Sequence, residues 1–429
     1  MTRELNQSDS LDEWLDFIDQ ITIDEIELGL DRVHQAYKNL NIKQSFPILM
    51  VGGTNGKGST CAFLESIFHS ASYKVACYSS PHFFKFNERV RINKATCSDK
   101  VIVNALFRVN EARKNIPLTY FEMTTLAAML IFIESDIDIA IMEVGLGGRL
   151  DAVNIFDPEV SLITSVSIDH QEFLGDSIEK IFKEKVGIFR ENKNAILNFD
   201  SQEAFIKNFK GASKALVSQI NYDYFIKEDG SKIDFYGQTK NFLNLPLPKL
   251  FGKAQLQNLS GALRVVELIY KKYPITHSSL NKGIKEADII GRLHCINKNP
   301  FIILDVAHNK ESAESLNQFF IDVVCVSNSG FYNSGFYNTG VSLVNFTNSS
   351  LSISSIYFDT DISINLNLSD PKSIKELDLE LVEEVMDDPI NIEEIDFSSE
   401  PIPTKTDRNK WQNEPRDLTP GEIEFDKRL

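Results

Sequence analysis

The chain of 429 residues is 42% hydrophobic with a formal charge of −17, enough apolar sequence for two or three cored domains. That charge excludes a DNA or RNA backbone as the main partner, which would call for a basic face. Five cysteines (Cys61, Cys77, Cys97, Cys295, Cys325) without CxxC spacing indicate neither a disulfide framework nor a zinc site and fit a reducing compartment.

In chain order, the N-terminus carries Glu4, Asp9, Asp12 and Glu13 rather than a basic leader, and no run of about 18 apolar residues occurs. The expectation is a cytoplasmic protein with no membrane partner. Helical patterns fall at Leu11–Leu40, Gly58–Ser70, Asp99–Lys114, Thr119–Ser135, Ser177–Arg190 and Lys253–Lys272. Strand patterns fall between them at Phe46–Val51, Tyr73–Tyr78, Ile137–Val144 and Val160–Val166, with another at Phe301–Val306. This alternation predicts an α/β fold with a mostly parallel sheet flanked by helices. After about Ile321 the composition changes. A tandem repeat (Ser329–Asn338) leads into Ser/Asn-rich sequence and then an acidic stretch whose only basic residues up to Glu400 are Lys372 and Lys375. Such sequence is poorly able to bury a core and reads as a largely disordered acidic tail, although apolar residues within Ser350–Ile364 are able to pair as short strands.

The segment Gly52–Thr60 (GGTNGKGST) closes the first strand and opens a helix. Glycines turn backbone N–H groups towards an anion, the helix N-terminus adds partial positive charge and Lys57 a full one, so a phosphate is the natural guest. The spacing departs from the usual Walker pattern, because Gly58 separates Lys57 from Ser59. In a doubly wound sheet ligands gather at the carboxyl ends of the strands. There the first strand delivers Ser59, the second Ser79-Ser80-Pro81-His82, the third Glu143 and the fourth Asp169-His170. Two hydroxyls, a carboxylate and an imidazole on one edge suit Mg-nucleotide binding. Taken singly, Ser80 before Pro81 is a turn residue, His170 a hydrogen-bonded loop histidine, and Lys57 and Lys185 solvated helix residues; joint placement favours the site.

Ordered motifs then resemble bacterial dihydrofolate synthase/folylpolyglutamate synthase of the Mur ligase superfamily. They are IELGLDRV (Ile26–Val33), GGTNGKGST, YSSPHFFKFNERVRIN (Tyr78–Asn93), LTYFEMTTLAA (Leu118–Ala128), EVGLGGRLDAVN (Glu143–Asn154), TSVSIDH (Thr164–His170), EKVGIFR (Glu184–Arg190) and DVAHN (Asp305–Asn309), covering about residues 10–320. The resemblance implies that Thr54, Asn55, Gly56, Lys57, Gly58, Ser59 and Thr60 hold ATP phosphates. It gives Mg²⁺, at two sites, the ligands Ser59, Ser80, Glu143 and His170, and makes Lys185 a lysine that becomes carbamylated. Lys57, Lys185 and His170 form its catalytic set. Gln255 and Asn258 would lie near the adenine, with Ala254 where the family often has a histidine. Arg292, Asp305 and His308 would approach the nucleotide from the second domain. Leu28, Gly29, Leu30, Thr119, Phe121, Asp151 and Ala152 would form a dihydropteroate pocket, although Phe121 alone is equally explained as core packing.

The implied reaction joins L-glutamate to dihydropteroate and to folates by an ATP-made acyl phosphate, in a monomer. A synthase that only adds glutamates is the narrower alternative. The domains expected are 1–290 for ATP and pterin, 291–321 as the start of the C-terminal ligase domain, and 322–429 as a divergent segment. Because the resemblance ends there, a catalytically impaired nucleotide-binding copy is the reading from a different class.

Overall fold

The computed structural model describes residues 5–22, 28–199, 215–217, 221–228, 230–249, 252–288, 291–292, 294–298, 301–307, 309, 311–313, 315–316, 331–336, 340–347, 350–357 and 361–367. The chain divides into two compact units, one built from Met1–Arg292 with Asn309–Phe319 and Asp426–Leu429, the other from Leu293–His308 with Phe320–Phe425.

The first unit opens with helices α1 (Leu11–Ile21) and α2 (Asp31–Leu40). A single helical pattern over Leu11–Leu40 is thus corrected to two helices. Ser10 and Glu13 form a capping box at the start of α1, and its last cap, Thr22, is extended. The β-branched run Ile21-Thr22-Ile23 and Gly29 both weaken helix, leaving Leu28–Leu30 as non-helical backbone before α2.

Next come β1 (Ile48–Gly52), α3 (Lys57–Ser70), β2 (Val75–Tyr78), β3 (Val90–Ile92), β4 (Ala95–Thr96), α4 (Asp99–Arg113), α5 (Tyr120–Glu134), β5 (Ile139–Glu143), β6 (Val160–Ile163), α6 (Gln171–Leu174), α7 (Ile178–Lys185), β7 (Asn194–Leu197) and β8 (Ala215–Val217). Their eight-stranded sheet has the order β4-β3-β2-β5-β1-β6-β7-β8. It is parallel from β2 to β8, and β3 and β4 add an antiparallel edge. The β3–β4 turn places Asn93 and Lys94 both at positive φ, which suits a tight hairpin.

Strand alternation sorts this sheet into two cores. Ile48, Met50, Ala76, Tyr78, Ala140 and Met142 face one core with α5. Leu49, Val51, Val75, Cys77, Ile139 and Ile141 face the other with α3. Fully burying one such Leu or Ile contributes roughly 1.5–3 kcal/mol. Helix α5 is buried over most of its circumference, as its nearly uninterrupted apolar sequence requires. The second core also takes α8 (Lys253–Ile269), α9 (His277–Glu286) and the small antiparallel sheet of β9 (Asp223–Ile226), β10 (Lys232–Tyr236) and β11 (Phe242–Pro246). A buried ion pair between Arg264 and Glu267 helps seat that sheet, because Glu267 also accepts from the Thr239 N–H and hydroxyl.

In the second unit, β12 (His294–Lys298), β13 (Phe301–Leu304), β14 (Phe331–Phe336), β15 (Gly340–Thr347), β16 (Ser350–Tyr357) and β17 (Asp361–Asn367) form one sheet in chain order. Only the β13–β14 pair is parallel. Four of these strands fall in the stretch that composition assigns to an acidic tail, and β16 and β17 hold Leu351, Ile353, Ile356, Tyr357, Ile362 and Ile364 of the Ser350–Ile364 segment. Residues 368–429 lie outside the described residues.

Candidate active site

Strand β1 is buried along its whole length and delivers the chain into the glycine loop. Gly56 has φ +84° and lies so close to α8 that a Cβ there would stand 2.2 Å from Asn258 Oδ1. Gly53 has φ +149°, and a Cβ there would meet Thr164 Oγ1 at 1.9 Å. Only glycine tolerates both the conformation and the approach. The segment after β6 braces the loop: Thr54 N donates to Ser165 O at 3.0 Å, and Asn55 N to Ser165 Oγ at 3.0 Å. Ser167 N donates to Thr54 Oγ1 at 3.1 Å. That use explains why β6 ends at Ile163, short of the strand pattern that runs to Val166. Lys57 folds over the loop, its Nζ donating to Gly53 O at 3.1 Å and Thr54 O at 3.0 Å.

Ser59 and Thr60 follow in the first turn of α3, and the hydroxyl oxygens of both are buried without a hydrogen-bond partner. Burying a hydroxyl without a partner is unfavourable by roughly 1–3 kcal/mol, so an oxygen-liking guest is expected there. Ser80, just beyond β2, donates its N–H to Glu143 Oε2 at 3.4 Å. Glu143 ends β5 and is buried. Burial pushes its carboxyl above the ordinary range, opposed by Lys57, the Ser80 N–H, Arg292 and Arg91. His170 adopts φ +48° at the head of α6. Burial lowers its pKa, Asp169 opposes this, and Lys57 and Lys185 lower it further. The shift favours the neutral imidazole, the form able to offer a lone pair. Hydroxyl, carboxylate and neutral imidazole fit a hard divalent cation whose shell is completed by phosphate and water oxygens. No three His, Cys, Asp or Glu side chains converge as a metal cage among the described residues.

Lys185 is buried at the end of α7. Burial, then the charge of Lys57, lowers its pKa to about 7, while Asp169 and Glu311 pull it up. The helix pattern to Arg190 is interrupted here, because α7 passes into a 3₁₀ turn at Val186–Ile188. A Cβ on Gly187 would lie 2.4 Å from Arg149 Cβ. Arg149 fastens this turn: its N–H donates to Glu184 O at 2.7 Å and its guanidinium to the Glu184 carboxylate at 2.9–3.2 Å.

A second cluster faces the α5 core. The half-buried Phe121 ring stands 5.9 Å from that of Tyr78, and a Cβ on Gly145 would meet Phe121 Cζ at 2.7 Å. Asp151 is buried in the same loop, accepting from Leu146 N at 2.8 Å and Val153 N at 2.9 Å, with Ala152 buried beside it. Burial raises its pKa to about 7 against those N–H groups. Thr119 has a job the motif did not reveal. Its hydroxyl caps α5 by accepting from Glu122 N at 3.2 Å, and Glu122 accepts from Thr119 N at 2.8 Å. Leu28, Gly29 and Leu30 are half-buried, and the next turn carries Arg32, paired to Glu122 at 3.2 Å. The pairing ties the Leu28–Leu30 segment to the start of α5.

Gln255 and Asn258 are buried on α8, with Asn258 Nδ2 donating to Gln255 Oε1 at 3.2 Å. Arg292 is close enough to Glu143 to steady its charge. Asp305, in the second unit, accepts from Ala307 N at 2.8 Å. His308 lies outside the described residues. Sequence reasoning passed over Ser165, Ser167, Asn309 and Glu311, all at the phosphate loop; hydroxyls immediately after a strand were the available signal for the first two.

The Mur ligase middle domain family model matches residues 51–266. A dihydrofolate synthase/folylpolyglutamate synthase of Buchnera aphidicola subsp. Baizongia pistaciae is 38% identical over 320 residues, 74% of this chain and 73% of the relative. Among solved structures, E. coli FolC in complex with DHPP and ADP superimposes with TM-score 0.69 at 33% identity, covering 75% of this chain and 76% of that one. A bifunctional folylpolyglutamate synthase/dihydrofolate synthase with Mn, AMPPNP and L-glutamate bound gives TM-score 0.68 at 33% identity, covering 75% and 77%.

Proposed function

Since the chain belongs to the dihydrofolate synthase/folylpolyglutamate synthase family of Mur-type ATP-dependent ligases, we propose that it joins L-glutamate to dihydropteroate and to folates, with ATP as cosubstrate. The observation that carries this reading is the convergence of an orphaned Ser59 hydroxyl, Ser80, Glu143 and the His170 loop at the carboxyl ends of neighbouring strands, beside a glycine loop with Lys57.

A carboxylate is a poor acyl donor, so it is first phosphorylated by ATP. Lys57 and the loop N–H groups stabilise charge on the transferred phosphoryl group. The α-amine of glutamate then attacks the acyl phosphate, phosphate departs and an amide remains. Mg²⁺, at two sites in our reading, would neutralise phosphate charge and would be held by Ser59, Ser80, Glu143 and His170. Lys185, Lys57 and His170 make up the catalytic set. Buried, with a pKa of about 7, Lys185 offers a partly uncharged amine at neutral pH, the form that reacts with carbon dioxide to give a carbamate.

Phe121, Tyr78, Asp151 and the Leu28–Leu30 segment would hold the pterin end, with Thr119 acting through the α5 cap. Gln255 and Asn258 would border the adenine side, and Arg292, Asp305 and His308 would serve the nucleotide. Residues 1–290 form the ATP- and pterin-binding body in this reading, 291–321 open the second ligase domain, and 322–429 diverge. No helix among the described residues is long and apolar enough to cross a membrane. We read the protein as a cytoplasmic monomer; the free thiols Cys61, Cys77 and Cys97 support the reducing compartment in that reading. The test is ADP release by the purified full chain with each substrate omitted in turn. The expected result is release that requires dihydropteroate and L-glutamate together; its absence with all substrates present would overturn the reading.

A further inference from the structure

Asn309 and Glu311 bring an amide and a carboxylate back to the phosphate loop. Glu311 Oε2 accepts from Asn55 Nδ2 at 2.6 Å, from Ser167 Oγ at 2.8 Å and from Ser165 Oγ at 3.2 Å. Asn309 Nδ2 donates to Asn55 Oδ1 at 3.1 Å and to Asp169 Oδ2 at 3.0 Å, while its Oδ1 accepts from Asn55 Nδ2 at 3.0 Å. Ser312 pins the turn, its hydroxyl accepting from Asn309 N at 3.1 Å and its N–H donating to Asn309 Oδ1 at 3.0 Å. One amide and two hydroxyls around a single anionic oxygen are the donors that recognise a phosphate oxygen.

We propose that Glu311 is a specificity residue for the nucleotide, its carboxylate competing with the terminal phosphate of ATP for Asn55, Ser165 and Ser167. This rests on the reading that the loop binds ATP. Two anions cannot share those donors without strong repulsion, so the terminal phosphate takes them only as Glu311 withdraws. Withdrawal also loosens the Asn309 link to Asp169, the neighbour of His170. A nucleotide lacking the third phosphate leaves Glu311 in place, so the effect is confined to triphosphates.

Glu311→Gln keeps the shape and an acceptor oxygen but removes the charge. Calorimetric titration of the wild-type and Glu311→Gln full chains with AMPPNP, ADP and AMP, each with Mg²⁺, tests the competition. The variant is expected to bind AMPPNP about three- to fivefold more tightly, in line with a partly exposed charge–charge interaction. ADP and AMP are expected to change less than about twofold, and the AMPPNP gain to shrink in high salt. Glu311→Ala, which also removes the acceptor, is expected to keep the same ordering. Unchanged or weaker AMPPNP binding, or an equal gain for ADP, overturns the competition. A wild-type chain that binds none of the nucleotides overturns both this inference and the function it rests on.

Discussion

The two faces of the central sheet share the same strands and solve opposite problems. On the α3 face the loop after β1 is built from backbone and cations: Gly53 and Gly56 admit close approach, Ser165 braces the loop, and Lys57 crosses it. On the α5 face the site is made of rings and buried carboxyls: Tyr78 and Phe121 beside Gly145, with Asp151 and Glu122 held by backbone N–H groups. The difference matches the guests proposed for each. Phosphates demand fixed dipoles and charge, which backbone geometry supplies, whereas a flat heteroaromatic ring demands shape and one or two directed polar groups.

If the faces divide the labour in this way, damage to each should be separable. Lys57→Ala removes the one full charge on the loop, and turnover is expected to fall roughly 10²–10³-fold, the range for deleting one pre-organised stabilising group. Melting temperature should change little, because among the described residues the hydrogen bonds of Lys57 go to loop carbonyls. Steady-state ADP release on matched samples checks this. A fall in proportion to lost fold would remove the charge argument.

Smaller and more diagnostic is a pair of glycine substitutions. Gly56→Ala places a methyl 2.2 Å from Asn258 at positive φ, a strain of about 1–3 kcal/mol expected to weaken ATP. Gly145→Ala drives a methyl against the Phe121 ring at 2.7 Å and is expected to raise KM for dihydropteroate about tenfold, a typical overpacking penalty. Each variant should leave the other substrate's KM within about twofold. If both substrates respond equally to either change, the two faces are one coupled site.

How far the sequence disclosed this arrangement follows from the same contrast. The loop, Glu143 and His170 were legible because chemistry at strand ends leaves local marks: a glycine cluster, an acid in an apolar strand, a histidine after one. The helices with capping boxes, such as α5 behind Thr119, were equally plain. Less legible were elements whose reason is tertiary. The break between α1 and α2, and the 3₁₀ turn after α7, answer to Gly29 and to the approach of Gly187 to Arg149. Strands β3 and β4 were missed although Asn93-Lys94 is a hairpin signal. The Glu311 contact joins residues 256 apart in sequence, beyond any periodicity. No motif separates a half-buried Arg32 paired to a buried Glu122 from two surface charges.

The last contrast is in stability against pH, where the faces should differ in sign. Asp151 has its pKa raised from 3.8 to about 7 by burial, so the folded chain holds more protons than the unfolded between about pH 4 and 7. Stability from this group therefore falls as pH rises through that window and is flat above it. Lys185, lowered from 10.5 to about 7, makes the unfolded chain hold more protons between about pH 7 and 10.5, so its contribution rises with pH there. Together they make a minimum near pH 7, with slopes of at most roughly 1.4 kcal/mol per pH unit on either side. Denaturant unfolding of Asp151→Asn should flatten only the acid side of this minimum, and Lys185→Met only the alkaline side. Should Lys185 carry a carbamate during the measurement, the alkaline slope of the wild type would already be absent and would return after removal of carbon dioxide. That would locate the modification on the nucleotide face without any activity assay.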